Sequence, residues 1–471
     1  MPARPNLLFV FADQLRAREL DDPTHPLLTP AYDRLRAEGS RCPNTVANCP
    51  VCTPSRGILL TGQYPFSNRV LCNDLPLPES AVTVGDVLQA AGYRTGYIGK
   101  WHLDGVPRAK FTPPGLRRHG FQTWAVHNCI HRYLDSAYYG DTPELRPIPG
   151  YEPEFQTDLA CEFLAEGGEQ PFCLFLSWGP PHNPFEQVPR WYQGLYPPEA
   201  LALPGNLTAP DRLAHNPDYP PNALQRLDDP RLALSRYYAA ITALDQQLMR
   251  LLEKLDQRDL AANTVVVYTS DHGELLWSHG RLRKQQPWDE AVRVPFVIRW
   301  PEAIPAGVDR PGCLSLVDLA PTLLSLLGCE VPAAMEGSDL AAYLRAETEQ
   351  APSSSFIMDL MPVDEGLAQN LRPWRGVRTA RHTYARWLDG RCWLLYDNLA
   401  DPDQRCNLAE LPEHSGLRSA LEAELQGWMR RAGDDGLPGE ELLRRLGLAR
   451  LWNDRERELH GSRARLLEED R

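Results

Sequence analysis

Five runs of apolar or β-branched residues recur along the 471-residue chain: LLFVFA (7–12), TGYIGK (95–100), FCLFLSW (172–178), TVVVYTS (264–270) and PFVIRW (295–300). None alternates polar with apolar positions, so each reads as a strand buried on both faces. Between them the spacing changes to that of helices packed on a sheet, in Val82 to Ala91 and in Leu244, Leu248, Leu251, Leu252 and Leu255. The alternation predicts an α/β fold with a large, mostly parallel central sheet flanked by helices. The connections at 104–154 and 179–230 are long and rich in proline, which points to segments that line or cover a site. The pattern loosens in RAETEQAPSSS (345–355), and RGVRTARHTYARWLDGRCWLLYD (375–397) then reads as two or three antiparallel strands with a turn at Asp389-Gly390. We therefore expect a main domain over 1–355. A smaller α+β subdomain over 356–471 carries the antiparallel sheet and ends, from Glu440, in a solvated amphipathic helix.

Composition adds exclusions more than assignments. With 43% hydrophobic and 24% charged residues the chain can bury a large core, and its net charge of -13 leaves no broad basic surface for nucleic acid or anionic membrane. An anionic substrate would need a local basic pocket. The opening stretch, MPARPNLLFVFADQ, has an apolar run too short for a secretory signal or a membrane span, so the expected location is cytoplasmic. Eleven cysteines include one isolated Cys-x-x-Cys, Cys49 and Cys52, with no second pair to complete a zinc ribbon. Most of the others read as reduced, buried small hydrophobes.

In doubly wound sheets a ligand lies beyond the carboxyl ends of the strands, so the polar residues that follow each apolar run matter most. Here they are Asp13 and Gln14, Lys100 and His102, His182, and Asp271 and His272. Singly, each has an ordinary explanation, such as an Asp that caps the next helix. Four strand ends meeting at one edge say more. Two carboxylates, an amide and an imidazole form a hard divalent site suited to calcium, magnesium or manganese better than to zinc. The lysine and the other histidines are suited to recognising a tetrahedral oxyanion.

One further stretch, NCPVCTPSRGILLTGQYP (48–65), identifies a resemblance. Cys52-Thr53-Pro54-Ser55-Arg56, continuing into GILLTGQYP, resembles the signature of the type I sulfatases of the alkaline phosphatase superfamily, in which the cysteine is oxidised to formylglycine (3-oxoalanine). PNLLFVFADQ, GYIGKWHL (96–103), PPHNPF (180–185), SDHGELLWSHG (270–280), VRVPFVIRWP (292–301), DLAPTLLSLLG (318–328) and LLYDNLADPDQRCNLA (394–409) agree in order and spacing, so the resemblance spans nearly the whole chain. It implies an alkaline phosphatase-like fold and a sulfuric ester hydrolase, matured by a formylglycine-generating enzyme. It also implies roles. Asp13, Gln14, Asp271 and His272 would hold one divalent metal, calcium first, with magnesium or manganese as alternatives, together with an oxygen of the converted Cys52. Asp271 could accept the nucleophile's proton, and Arg56 would hold the hydrate. Lys100 and Lys284 would bind sulfate oxygens, His102 would draw the proton that lets the intermediate collapse, and His182 would serve the leaving oxygen. Arg281 and Arg283 stand beside Lys284 as alternatives, and His279 is placed outside the reacting groups. Gln14 stands where many members have a second Asp, and His272 where many have Asn.

The substrate is less legible. WAVHNCIHRYLDSAYYG (124–140) and PFEQVPRWYQGLYPPE (184–199) are dense in aromatic residues, which suits either stacking on a sugar or aryl ring or the anchoring of loops. Resemblance of the second segment to glycan-active bacterial sulfatases favours a sulfated carbohydrate. Two alternatives stand beside a sulfatase: a phosphonate monoester hydrolase or phosphodiesterase of the same superfamily, and an inactive binder of sulfated ligands. Oligomeric state is left open.

Overall fold

The computed structural model describes residues 4–21, 26–168, 170–207 and 229–468, so the 208–228 part of the second proline-rich connection lies outside the described residues. Ten described strands form one sheet: β1 (Asn6–Asp13), β2 (Ser40–Arg41), β3 (Arg94–Lys100), β4 (Thr123–His127), β5 (Ala137–Tyr139), β6 (Leu145–Pro147), β7 (Phe172–Pro181), β8 (Thr264–Ser270), β9 (Phe296–Arg299) and β10 (Val308–Asp309). Their spatial order is β10-β2-β9-β8-β1-β7-β3-β4-β5-β6. The centre, β8-β1-β7-β3-β4, is parallel throughout. All residues of β1, β7 and β8 are buried, as their unbroken apolar runs require.

The two faces of β1 show how the core is divided. Leu7, Phe9 and Phe11 join one apolar cluster, while Leu8, Val10 and Ala12 join another. The helices Cys52–Thr61, Val84–Ala90 and Leu319–Leu326 belong to the first cluster; Pro30–Glu38, Glu152–Ala165 and Pro230–Gln257 belong to the second. Val84–Ala90 starts at a capping box in which Thr83 and Asp86 bond each other's backbone. PFVIRW does become the buried strand β9, but it pairs antiparallel with β8. A continuous apolar run specifies burial on both faces and leaves strand direction undetermined.

The second sheet has four described strands, β11 (Ser354–Asp359), β12 (Trp374–Thr379), β13 (His382–Trp387) and β14 (Cys392–Asp397), paired antiparallel in that order. The turn at Asp389-Gly390 is present, with Gly390 at φ 84°. β11, which starts inside the loosened stretch, adds one strand to those the pattern implied. The terminal segment departs further from expectation. It forms two helices, Gly439–Arg445 and Ala449–His460, separated at Gly447 (φ 63°), and the second buries Trp452, Arg455 and Glu456. Arg455 is buried because Asp364 and Glu456 accept its hydrogen bonds at 2.9 and 2.6 Å, so the charge periodicity of this helix marks a docked face as well as a solvated one. No described helix is long and apolar enough to cross a membrane.

Gly99, in β3, has φ 105°, and a Cβ placed there would lie 2.0 Å from the Ser177 carbonyl oxygen in β7. At Gly390 an added Cβ meets nothing within 4 Å. Gly390→Ala should therefore cost only backbone strain, about 1 kcal/mol, and Gly99→Ala about 3 kcal/mol or more. Chemical denaturation of both variants checks this; equal losses would show that the close approach of β3 and β7 does not carry the difference.

Candidate active site

Register builds the site. β1 and β8 run parallel with Ala12 beside Ser270, so the next residues, Asp13 and Asp271, emerge side by side. On the other flank a register shift after Ala12 sets Asp13 against Pro181, one residue before His182. β3 pairs Gly99 with Ser177 and so carries Lys100 to the same edge. Gln14 (φ 71°) and His102 (φ 56°) adopt left-handed backbone, which turns the chain sharply as it leaves β1 and β3. Such conformations are disfavoured for residues with side chains and concentrate at functional sites.

Facing these strand ends is the helix Cys52–Thr61, every residue of which is buried. Cys52 is its first residue, where the helix presents partial positive charge. One turn on, Arg56 spends its donors on the strand ends: Nε donates to Asp271 (3.0 Å), Nη2 to Asp13 (3.2 Å), and Nη1 to the Lys100 carbonyl (2.6 Å) and Ser177 Oγ (2.8 Å). Arg56 thus holds both carboxylates.

Asp13, Cys52, Asp271 and His272, all buried, place ligand atoms within 4.8 Å of one another. Burial pushes the Asp271 carboxyl up and Asp13 beside it adds to the effect. Two carboxylates crowded together out of water are what a divalent cation relieves, so the residues present fit a metal. Gln14 joins through its backbone N–H, which donates to Asp271 (3.1 Å), and its side-chain oxygen accepts from Lys284 (2.7 Å). Burial raises the Cys52 thiol pKa, but Lys100, Lys284 and His272 outweigh it and hold the group well below its ordinary value. Lys284 Nζ lies 3.0 Å from the sulfur, His272 Nε2 3.2 Å and Lys100 Nζ 3.9 Å.

A cavity of about 210 Å³ opens onto Cys52 and is lined also by His102, His182 and Lys284. His182 Nδ1 donates to the Asn183 carbonyl (2.7 Å), and burial and Lys284 hold its pKa well below the usual histidine value. His102 is pushed up to about 10: burial opposes the shift, while Cys129 and a hydrogen bond to Asp74 (3.1 Å) drive it. All ten sequence-nominated site residues are therefore gathered at one place. Of the alternatives to Lys284, Arg281 bonds the Gln369 carbonyl and Arg283 packs over Phe185, so neither takes its position. His279 stacks on Trp288 away from the cavity.

Arg108 and His131, which also line the cavity, come from the 104–154 connection expected to line a site, whereas Asn73, Asp364, Glu365, Leu459 and His460 carried no local signal. His131 stacks face to face on His182 with ring centroids 4.2 Å apart. The aromatic segments serve mainly as anchors. Trp124 packs against Tyr97 and Trp101, and Phe185, Tyr192 and Tyr196 are buried in the core cluster below the connection.

The fold and this convergence of carboxylates, lysines and histidines on the first residue of a buried helix define an ester hydrolase of the alkaline phosphatase superfamily. Comparison narrows the class. Residues 5–329 match the sulfatase family model, and residues 277–431 match that of the N-sulphoglucosamine sulphohydrolase C-terminal region. An ulvan-active sulfatase from Formosa agariphila is 35% identical over 446 residues, covering 92% of this chain and 83% of the relative. The solved structure of a putative sulfatase, yidJ, from Bacteroides fragilis shares 31% identity with a TM-score of 0.81, covering 93% of this chain and 97% of that one. BT4656, solved in complex with its substrate D-glucosamine-2-N,6-O-disulfate, shares 25% identity with a TM-score of 0.80, covering 92% and 99%. A phosphonate monoester hydrolase from Agrobacterium radiobacter, at 23% identity and a TM-score of 0.74 over 91% and 96%, shares the fold. This chain belongs to the sulfatase family and is a sulfuric ester hydrolase.

In the unconverted chain, the rate of alkylation of Cys52 by iodoacetamide, read by peptide mass mapping, should be nearly flat between pH 6 and 8, because the thiol is already ionised. A thiol with its ordinary pKa gains about tenfold per pH unit over that range. A rise of that size at Cys52 would contradict the lowered thiol pKa.

Proposed function

We propose that this enzyme removes sulfate from a sulfated carbohydrate, using a formylglycine made from Cys52 as nucleophile and one divalent cation, calcium first. The observation that carries the reading is the placement of Cys52: a buried helix-terminal thiol within 4 Å of two lysines, a histidine and Asp13, where an unmodified cysteine would have no productive route to release sulfate. The whole helix is buried, so a formylglycine-generating enzyme must read Cys52, Pro54 and Arg56 before the fold closes. Names among the relatives, one ulvan-active and one solved with a glucosamine disulfate, support the carbohydrate class.

In the converted residue one hydroxyl of the aldehyde hydrate attacks sulfur as the sugar oxygen leaves, and the other then gives up its proton as the bond to sulfate breaks, restoring the aldehyde. Asp13, Gln14, Asp271, His272 and residue 52 would hold a divalent cation, which would supply the Lewis acidity that makes such a hydroxyl nucleophilic. Arg56 orients both carboxylates, and Asp271, whose pKa is raised, takes the nucleophile's proton. Lys100 and Lys284 grip the sulfate oxygens. Bound sulfate offsets the charge of Lys284, which lets His182 gain a proton at Nε2 and pass it to the leaving oxygen. His102 can accept the proton released as the intermediate collapses only in its neutral form, so its raised pKa favours this step on the alkaline side. The second reading, a phosphonate monoester hydrolase, is favoured by Gln14 and His272, which replace the commoner Asp and Asn; it predicts faster turnover of aryl phosphonates than of aryl sulfates.

The experiment is a plot of rate against leaving-group pKa for a series of sulfate esters. His182→Ala should lose about 10² to 10⁴ in rate on alkyl or sugar sulfates and much less on nitrophenyl sulfate, while Lys100→Ala slows all of them by similar factors. Equal slopes for the parent and His182→Ala would remove His182 from the acid role.

A further inference from the structure

The cavity over Cys52 is bounded partly by the C-terminal region, which supplies Asp364, Glu365, Leu459 and His460. The charged groups here are not alike. Arg108 is committed to Asp74, its Nε and Nη2 donating at 2.8 and 2.7 Å. Asp364 accepts from Arg455 Nη2 (2.9 Å), and its other oxygen lies 3.2 Å from His460 Nε2. Arg455 is itself buried and also donates to the Asn73 carbonyl at 2.8 Å, so it ties this loop to the segment that follows the nucleophile helix. Asp364 has φ 47° and ψ -105°, a strained backbone that presents the next residue, Glu365, to the cavity. Among the described residues Glu365 has no hydrogen bond or ion pair through its carboxylate, although it lies close enough to Lys284 to interact with its charge.

An uncommitted carboxylate beside a sulfate-binding lysine has one chemistry to offer. It accepts hydrogen bonds through two oxygens and donates none. A sugar ring whose sulfate points at Cys52 brings hydroxyl or ammonium donors on the neighbouring carbons, which such a carboxylate can bind together. A second sulfate or a carboxylate in the same place would meet Glu365 as a like charge, with Arg108 already neutralised by Asp74 and Asp364 by Arg455.

We propose that Glu365 is a specificity-determining residue that binds donor groups flanking the sulfated carbon and rejects a second anion there, which makes the substrate a singly sulfated neutral or amino sugar unit. The inference rests on the sulfatase-on-carbohydrate reading above.

Two measurements test it. The first compares kcat/KM of the converted enzyme with that of Glu365→Gln and Glu365→Asp on three probes: a neutral monosaccharide monosulfate, the same sugar with a second sulfate on the adjacent carbon, and 4-nitrophenyl sulfate. The parent should prefer the monosulfate to the disulfate by about tenfold or more. Glu365→Gln should erase most of that preference and lower monosulfate turnover about tenfold relative to 4-nitrophenyl sulfate, with Glu365→Asp partly restoring both. Unchanged discrimination in Glu365→Gln, or a parent preference for the disulfate, overturns the inference. The second measures binding of the monosulfate by calorimetry to the Cys52→Ala chain with and without Glu365→Gln, independent of conversion and turnover. Weakening of about tenfold supports the inference and no change overturns it. A converted enzyme that turns over none of the three probes overturns the underlying sulfatase-on-carbohydrate reading, a result separate from any outcome at Glu365.

Discussion

Two carboxylates, Asp13 and Asp271, sit side by side out of water at the ends of adjacent strands, and Arg56 binds both. Neither is stable there alone: a buried charge without a partner is strongly disfavoured. The pairing requires β1 and β8 to keep their parallel register, and it requires the helix Cys52–Thr61 to pack with its first turn against those strand ends. Because Arg56 follows Cys52 by one turn on the same helix, the guanidinium that neutralises the carboxylates also fixes where residue 52 stands. The remaining charges follow. Lys100 joins Asp13 from β3, and Lys284 reaches Cys52 and Gln14 from a loop, so positive charge accumulates around Cys52.

The C-terminal region completes this arrangement. Its four-stranded sheet and the helix Ala449–His460 do more than enlarge the core, since Arg455 and His460 hold the loop that carries Asp364 and Glu365 to the cavity. The ends of the parallel strands therefore supply Asp13, Lys100, His182 and Asp271, and the C-terminal region supplies part of the wall of the cavity over Cys52. This division suits a family in which one chemistry serves many substrates.

The strand ends were legible because their signal is local: an apolar run buried on both faces, followed at once by a polar residue, marks Asp13, Lys100, His182 and Asp271 in turn. Lys284 follows no strand and was reached only through resemblance to the sulfatases. The 104–154 connection was legible as site-lining, and Arg108 and His131 come from it; Asp364 and Glu365 were not legible, because nothing in their own neighbourhoods distinguishes them from loop residues. Their meaning depends on contacts with residues tens to hundreds of positions away, such as Arg455 with Asp364 or Arg108 with Asp74. The direction of β9 and the docking of the last helix were hidden for the same reason. Alternation and charge patterning report which residues avoid water, whereas pairing direction and ion-pair partners are settled by tertiary packing. The aromatic segments illustrate the limit from the other side: their composition suited stacking on a ligand, yet Trp124, Phe185 and Tyr196 are buried as anchors.

The central claim is that residue 52 acts as an aldehyde hydrate and not as a thiol. The most direct measurement is the intact mass of the peptide containing residue 52, taken from protein made with and without a formylglycine-generating enzyme, set against sulfate release by the same samples. The account predicts that sulfatase activity rises in proportion to the fraction of residue 52 carrying the aldehyde and vanishes in Cys52→Ala. Full activity in a sample whose residue 52 is entirely cysteine would contradict it.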